Sequence, residues 1–220
     1  MKHLLKVIVL IGSLFALTFL LLKTTGVLSV EQIKMWLLQA KELSPIYVGV
    51  IVMLLLFSDL FLAIPTMTVI TLSGYFLGFQ YGAIASITGL FLAGISGYWL
   101  SHLLGERVLE FILRKEKAKQ EAKETFRMHG VAMILLSRAI PILPEVTACL
   151  AGMTQMKFLK FLLVWSLSTI PYVLILTYAG SVSSIENPKP AIYTAIVISA
   201  TLWTGWFLFN KKRKKNNLTR

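Results

Sequence analysis

Acidic residues, thiols and histidines are what this sequence has least of. Ten Asp and Glu stand against 22 Lys and Arg in 220 residues, with one cysteine and three histidines. A single cysteine excludes an internal disulfide. Cys149 lies between Ala148 and Leu150, the setting of a small buried apolar residue. His3, His102 and His129 have no metal-ligand spacing, and an HExxH zinc motif, a Walker loop and the PSGH signature of lipid phosphatases are all missing. No metal, cofactor or catalytic residue is expected, and the chain is not read as an enzyme. Charge is scarce as well: 15% of residues are charged, 56% are hydrophobic, and the mean hydropathy is +0.75. That excludes an ordinary soluble domain and indicates an all-α polytopic membrane protein.

The basic residues are unevenly placed. Lys211-Lys212-Arg213-Lys214-Lys215 forms a tail, and Arg107, Arg114, Lys115, Lys117, Lys119, Lys123 and Arg127 crowd one segment. Charge that flanks apolar spans reads as cytoplasmic retention and contact with anionic lipid, not as a nucleic-acid-binding face. Apolar sequence from Leu4 to Leu22 follows a basic start and is long enough to span. No A-x-A-like cleavage site follows it, so an uncleaved helix is expected.

Three regions follow from the pattern. Residues 1–44 hold the first span and an interfacial helix from Val30 to Lys41. Residues 45–180 form the main membrane domain: an apolar stretch 46–80 broken at Pro65, a Gly-rich span 82–104, a charged, helix-like loop 105–129, a stretch 130–156 broken at Pro141 and Pro144, and a span 157–180. Residues 181–220 hold a polar loop, a span at 191–209 and the basic tail. With the amino terminus, the 105–129 loop and the tail in the cytoplasm, most Lys and Arg lie inside. This parity requires 46–80 and 130–156 each to enter and leave on one side. Re-entrant hairpins from opposite faces satisfy it; paired full crossings satisfy it equally. The stretches also echo one another. Ser58-Asp59, Pro65 and Gly74 are matched by Ser137-Arg138, Pro141 with Pro144, and Gly152. Two hairpins, each followed by a span, make an inverted repeat. Chance similarity between apolar stretches is the alternative.

Charge and proline meet in both hairpins. A charge at membrane depth costs at least about 2.5–3.5 kcal/mol and marks a functional site by default. Arg138 is a candidate phosphate ligand, since its planar fork suits phosphate oxygens; a salt bridge to Asp59 or Glu145 is the structural alternative. Asp59 and Glu145 are candidates for pairing with it or for carrying a proton. Pro65, Pro141 and Pro144 shape the breaks. Gly74, Gly78 and Gly82, every fourth residue, suggest close helix packing. Gly94-Ile95-Ser96-Gly97 matches a G-x-S-G protease pattern. His102 would stand about 9 Å away on another helix face, so packing explains these glycines better. Trp99, Trp165, Trp203 and Trp206 read as interface anchors or packing residues.

At these positions the chain resembles the DedA superfamily, also called the SNARE-associated Golgi protein or VTT-domain family. The pattern is Arg138-x-x-Pro141-x-x-Pro144, then Ala151-Gly152, Met156 and Phe158, with Pro65, Gly74, Gly78 and Gly82 in the first half. The resemblance covers roughly residues 45–180. It implies two facing re-entrant hairpins and movement of phospholipid or polyprenyl-phosphate headgroups across a bilayer, with Arg138 as the family's arginine and Asp59 as its first-hairpin acid. Proton-coupled bacterial members carry a second arginine six residues after the first; here Pro144 and then Glu145 follow, which looks like the Golgi-type branch. The implied partners are phosphate-bearing lipids, with anionic lipid at the basic loop and tail and a homo-oligomer left open. The implied location is a bacterial plasma membrane with both termini cytoplasmic. A proton- or cation-coupled small-solute transporter and a non-transporting membrane organiser are the competing readings.

Overall fold

A computed structural model describes residues 2–25, 30–62, 64–112, 116–140 and 142–183, with isolated positions between 193 and 204. The expected span 191–209 and the tail fall largely outside the described residues, as does Pro141. Seven α-helices are present among the described residues: α1 Lys2–Thr25, α2 Val30–Leu43, α3 Pro45–Ser58, α4 Thr66–Ile112, α5 Glu116–Leu136, α6 Leu143–Met153 and α7 Phe158–Ser181. A 3₁₀ turn, Ser137–Ala139, leads out of α5. The all-helical class is the expected one, and α2 coincides with the interfacial segment.

Local chemistry sets the boundaries. Ser44 caps α3 by accepting a hydrogen bond from the Ile46 amide at 3.3 Å, and Pro45 occupies the first turn, where its missing N–H is not needed. Pro65 stands just before α4 and Pro144 in the first turn of α6, each again where a helix lacks no donor. The prolines therefore start helices after the breaks.

Gly78 departs from the packing series expected of Gly74, Gly78 and Gly82. Its φ of 74° and ψ of 174° break α4, and nothing lies within 4 Å of where its Cβ would be. Such a backbone is essentially reserved for glycine. Residues 66–77 and 79–112 are thus two limbs that fold back on one another. Across the bend the Ser73 hydroxyl meets the Ser86 hydroxyl at 2.9 Å and the Gly82 carbonyl at 3.3 Å. A Cβ on Gly82 would lie 2.7 Å from the Ser73 carbonyl oxygen, so Gly82 permits that approach. The charged segment expected at 105–129 is largely helix: α4 extends to Ile112 and α5 begins at Glu116.

The second limb of α4 and α7 run antiparallel through the centre. Phe79 meets Tyr178 edge-on at 6.0 Å near one end, and Tyr98 stacks on Phe161 at 4.9 Å towards the other. Two cores form around this pair. One gathers α2, α3 and the first limb of α4 through Leu37, Val52, Leu56, Ile70 and Leu176; the other gathers α1, α5 and α6 through Val7, Phe126, Ile134, Leu150 and Phe161. Gly74 and Gly152, at matching places in the two broken stretches, make matching contacts. A Cβ on Gly74 would strike the Thr177 carbonyl of α7, and one on Gly152 the Tyr98 carbonyl of α4. Each break is locked onto the long helix of the other half.

Among the described residues, two stretches are long and apolar enough to cross a membrane, Thr66–Gly105, in which only the limb beyond the Gly78 bend runs on unbroken, and Phe158–Ser181. Along α7, Leu159, Leu163, Leu167 and Tyr178 are all at least half exposed, which suits a surface facing lipid.

Gly74→Val and Gly152→Val should each lower stability by roughly 1–3 kcal/mol through overpacking against backbone. Gly78→Ala should cost a similar amount, roughly 1–3 kcal/mol, through backbone strain alone. Gly12→Ala, whose added methyl meets nothing within 4 Å, should be neutral or slightly stabilising. Thermal unfolding midpoints in detergent check all four.

Candidate functional site

Both breaks carry the charges singled out in the sequence. The first closes on Asp59, which is 4% exposed. Its Oδ1 accepts the Ile64 amide hydrogen at 2.8 Å, and its Oδ2 accepts the Thr66 hydroxyl hydrogen at 2.7 Å. The carboxylate thus bridges the end of α3 to the start of α4, with both oxygens engaged inside its own hairpin. Thr66 was not visible as a site residue. A hydroxyl directly after the hairpin proline was the available signal.

The second break is built differently. Ser137 anchors the 3₁₀ turn by donating to the Ile134 carbonyl at 2.8 Å, and the turn presents Arg138 to α7. There Nη2 donates to the Thr169 hydroxyl at 3.0 Å, and the guanidinium carbon lies 5.0 Å from the Trp165 ring centroid and 5.5 Å from that of Tyr172. Residues 165, 169 and 172 lie on one helical face, so α7 offers an indole, a hydroxyl and a phenol to one cation. Trp165 is therefore a packing residue; Gly94 makes room for it, since a Cβ there would lie 2.5 Å from the indole. Thr169 and Tyr172 escaped notice because a lone hydroxyl in an apolar span is common.

Arg138 makes no ion pair within 4 Å among the described residues, and its Nε is buried without a hydrogen-bond partner. An unmatched guanidinium N–H out of water is costly. Ile142, just before α6, has a φ of 73°, a left-handed conformation that costs a β-branched residue about 1–2 kcal/mol. Glu145 follows in the first turn of α6, where the helix dipole favours a negative charge.

The three charged candidates converge. Asp59 and Glu145 are within side-chain hydrogen-bonding reach of one another, Arg138 is in electrostatic range of both, and Tyr172 is in range of all three. Among the described residues no three metal-ligating side chains come together.

The glycine-flanked serine has no such convergence. Gly94 and Gly97 accommodate Trp165 and Leu60, and the His102 ring stacks on Tyr98 at 5.5 Å. A cavity of about 560 Å³ is lined by Arg138 and Leu135, by α7 and by Tyr193, Thr194, Val197 and Thr201.

The chain is 27% identical over 164 residues to undecaprenyl phosphate transporter A of Bacillus subtilis (strain 168), covering 68% of this chain and 83% of that protein. It is 29% identical over 161 residues to an uncharacterized membrane protein of Synechocystis, covering 66% of this chain and 68% of that protein. It is 25% identical over 189 residues to an alkaline phosphatase-like protein of Lactococcus lactis subsp. cremoris, covering 76% of this chain and 87% of that protein. No solved structure matches. The VTT domain matches residues 64–182, from the first hairpin break to the end of α7 and more than half the sequence. The chain belongs to the VTT-domain, or DedA, family of membrane proteins.

Proposed function

We propose that this protein moves a phosphate-bearing lipid across the membrane, with Arg138 as the headgroup ligand. The observation that carries this reading is the state of Arg138. Its guanidinium is set against Thr169, midway along the 24-residue α7, yet keeps a buried N–H without a partner. Asp59 accepts one hydrogen bond at each oxygen inside its own hairpin and makes no contact ion pair with Arg138. An arginine so placed has a use for an external anion, and its fork favours a phosphate. The transporter relative, named for undecaprenyl phosphate, carries such a group and supports the same reading.

The surrounding geometry fits a hydrated passage between two re-entrant hairpins. α3 and α6, with 14 and 11 residues, are about 21 and 16 Å long, short of the roughly 30 Å apolar thickness of a bilayer. Residues 45–180 form the transporting unit, flanked by 1–44 and 181–220. The lipid phosphate meets Arg138 at the level of the breaks while its chains stay in the membrane. Glu145 and Asp59 keep the passage polar and limit how tightly the anion is held. A proton taken up by this pair of acids would give a route for coupling to a proton gradient. Hydrolysis is the weaker reading, because among the described residues no metal-binding cluster stands beside the hydroxyls and carboxyls of this site.

Purified protein in liposomes tests the proposal. Arg138→Lys replaces a fork with a point charge. It loses a charge-assisted hydrogen bond worth about 1.5–3 kcal/mol, so transport of a fluorescent phosphate-bearing lipid should fall roughly ten- to hundredfold. Arg138→Ala should fall at least as far, and wild-type rates for it would refute the phosphate role. Release of inorganic phosphate from the lipid would point to a hydrolase.

Asp59→Asn should act through the fold. Asn keeps one acceptor for two donors, so stability should drop by about 1–3 kcal/mol, read as a lower unfolding midpoint. A loss of transport without a loss of stability would instead assign Asp59 to the transport chemistry.

The basic segments orient the molecule with both termini and the start of α5 in the cytoplasm. Cysteines at Gln39 and Gln120, both exposed, should then react with impermeant reagent from opposite sides of intact cells. Labelling from one side would overturn the topology.

A further inference from the structure

The cavity beside Arg138 is not needed to bind a phosphate, and its walls point to another task. Leu135, Leu167, Ile175 and Val197 make it largely apolar, and Arg138 is the one charged residue in its lining among the described residues. Leu167, Ile175, Tyr193 and Val197 are 66%, 47%, 64% and 63% exposed, so the cavity opens sideways from the protein. In a membrane segment that opening faces lipid tails. Pro171 lies in the same wall. Lacking an N–H, it leaves the Leu167 carbonyl without its helical donor, which a bilayer tolerates only beside protein or a wetted cavity.

We infer that this cavity is a side entrance that holds the hydrocarbon next to the headgroup of the same lipid whose phosphate binds Arg138. The inference rests on the phosphate reading and extends it to a second subsite. Charge and apolar surface share the lining as they share an amphiphile: the guanidinium sits on Thr169 and Tyr172, and Ile175 stands about 9 Å further along α7 than Thr169. Size argues the same way. A cavity of about 560 Å³ falls in the roughly 300–1,000 Å³ range of small-ligand sites, so it can seat one hydrocarbon chain beside the headgroup. Selectivity for chain geometry therefore arises at α7 and positions 193–201, and selectivity for the anion at Arg138.

Farnesyl phosphate, a single-chain amphiphile of suitable size, and inorganic phosphate are the probes. Ile175→Trp combined with Val197→Trp fills the cavity and leaves Arg138 untouched. Farnesyl phosphate affinity of the full-length protein in detergent should fall at least tenfold, while inorganic phosphate affinity stays within twofold. Unchanged farnesyl phosphate affinity would overturn the chain subsite and leave the phosphate site standing. Arg138→Ala should weaken both probes; if it weakens neither, the phosphate reading itself fails.

A photoreactive side chain at Val197 gives an answer independent of folding losses. It should cross-link radiolabelled farnesyl phosphate, and excess unlabelled farnesyl phosphate should compete, whereas the same group at Tyr81, 70% exposed but outside the cavity, should not cross-link competitively. Equal, non-competable labelling at both positions would mean ordinary contact with surrounding amphiphile and would overturn the subsite.

Discussion

A half-buried cation in an apolar helical protein has to be held by something, and the answer for Arg138 organises the surroundings of both breaks. The structure does not neutralise it with a carboxylate at contact distance. It spreads the charge over the Trp165 and Tyr172 ring faces and fixes one nitrogen on the Thr169 hydroxyl. Aromatic faces attract a cation by about 0.5–2 kcal/mol each, more when desolvated, and leave N–H groups in the guanidinium plane unspent. A salt bridge would have consumed them. The 3₁₀ turn at Ser137–Ala139, the left-handed Ile142 and the small residue Gly94 behind Trp165 can all be understood as conditions for setting the guanidinium against the middle of α7.

The helical class, the helix beginning at Val30 and the breaks near Pro65 and Pro144 were legible in the sequence because they follow from one-dimensional signals: hydropathy, caps and missing donors. The convergence of Asp59, Arg138 and Glu145 was legible as well, since charges that are expensive in a bilayer advertise themselves. What could not be read were contacts made by ordinary residues. Gly78 looked like its neighbours Gly74 and Gly82, because a glycine serving a turn and one serving a close approach are the same letter. Only the backbone angles separate them. Thr169 and Tyr172 looked like filler in an apolar span, and their role depends on which face of α7 meets the second break. That is a fact of packing, not of period.

The equivalence between the two halves is clearest in their glycines. Gly74 and Gly152 each let a broken segment press on a carbonyl of the other half's long helix, Thr177 in one case and Tyr98 in the other. A Cβ at either place would separate the segment from its support, and the support comes from the opposite half in both. Neither half is complete alone. A hairpin without the partner's helix would leave its short segments with no wall to bury against, and a helix of 11 or 14 residues has little stability of its own. Exchange of supports explains why the breaks lie side by side at the centre, where Asp59 and Glu145 can reach each other.

Within that equivalence the two breaks have been given opposite chemistry. The first is closed on itself: a buried carboxylate takes two donors across the gap, and both its oxygens are used. The second is left incomplete. Its turn contains a strained β-branched residue, its arginine depends on a different helix for a hydrogen bond, and one buried N–H has no partner. Satisfied polar groups make a rigid wall, because breaking any bond exposes a costly donor or acceptor. Unsatisfied ones are stabilised by whatever supplies the missing partner. On the proposed phosphate role, anion affinity would belong to the second break, with the first as the fixed surface against which it acts.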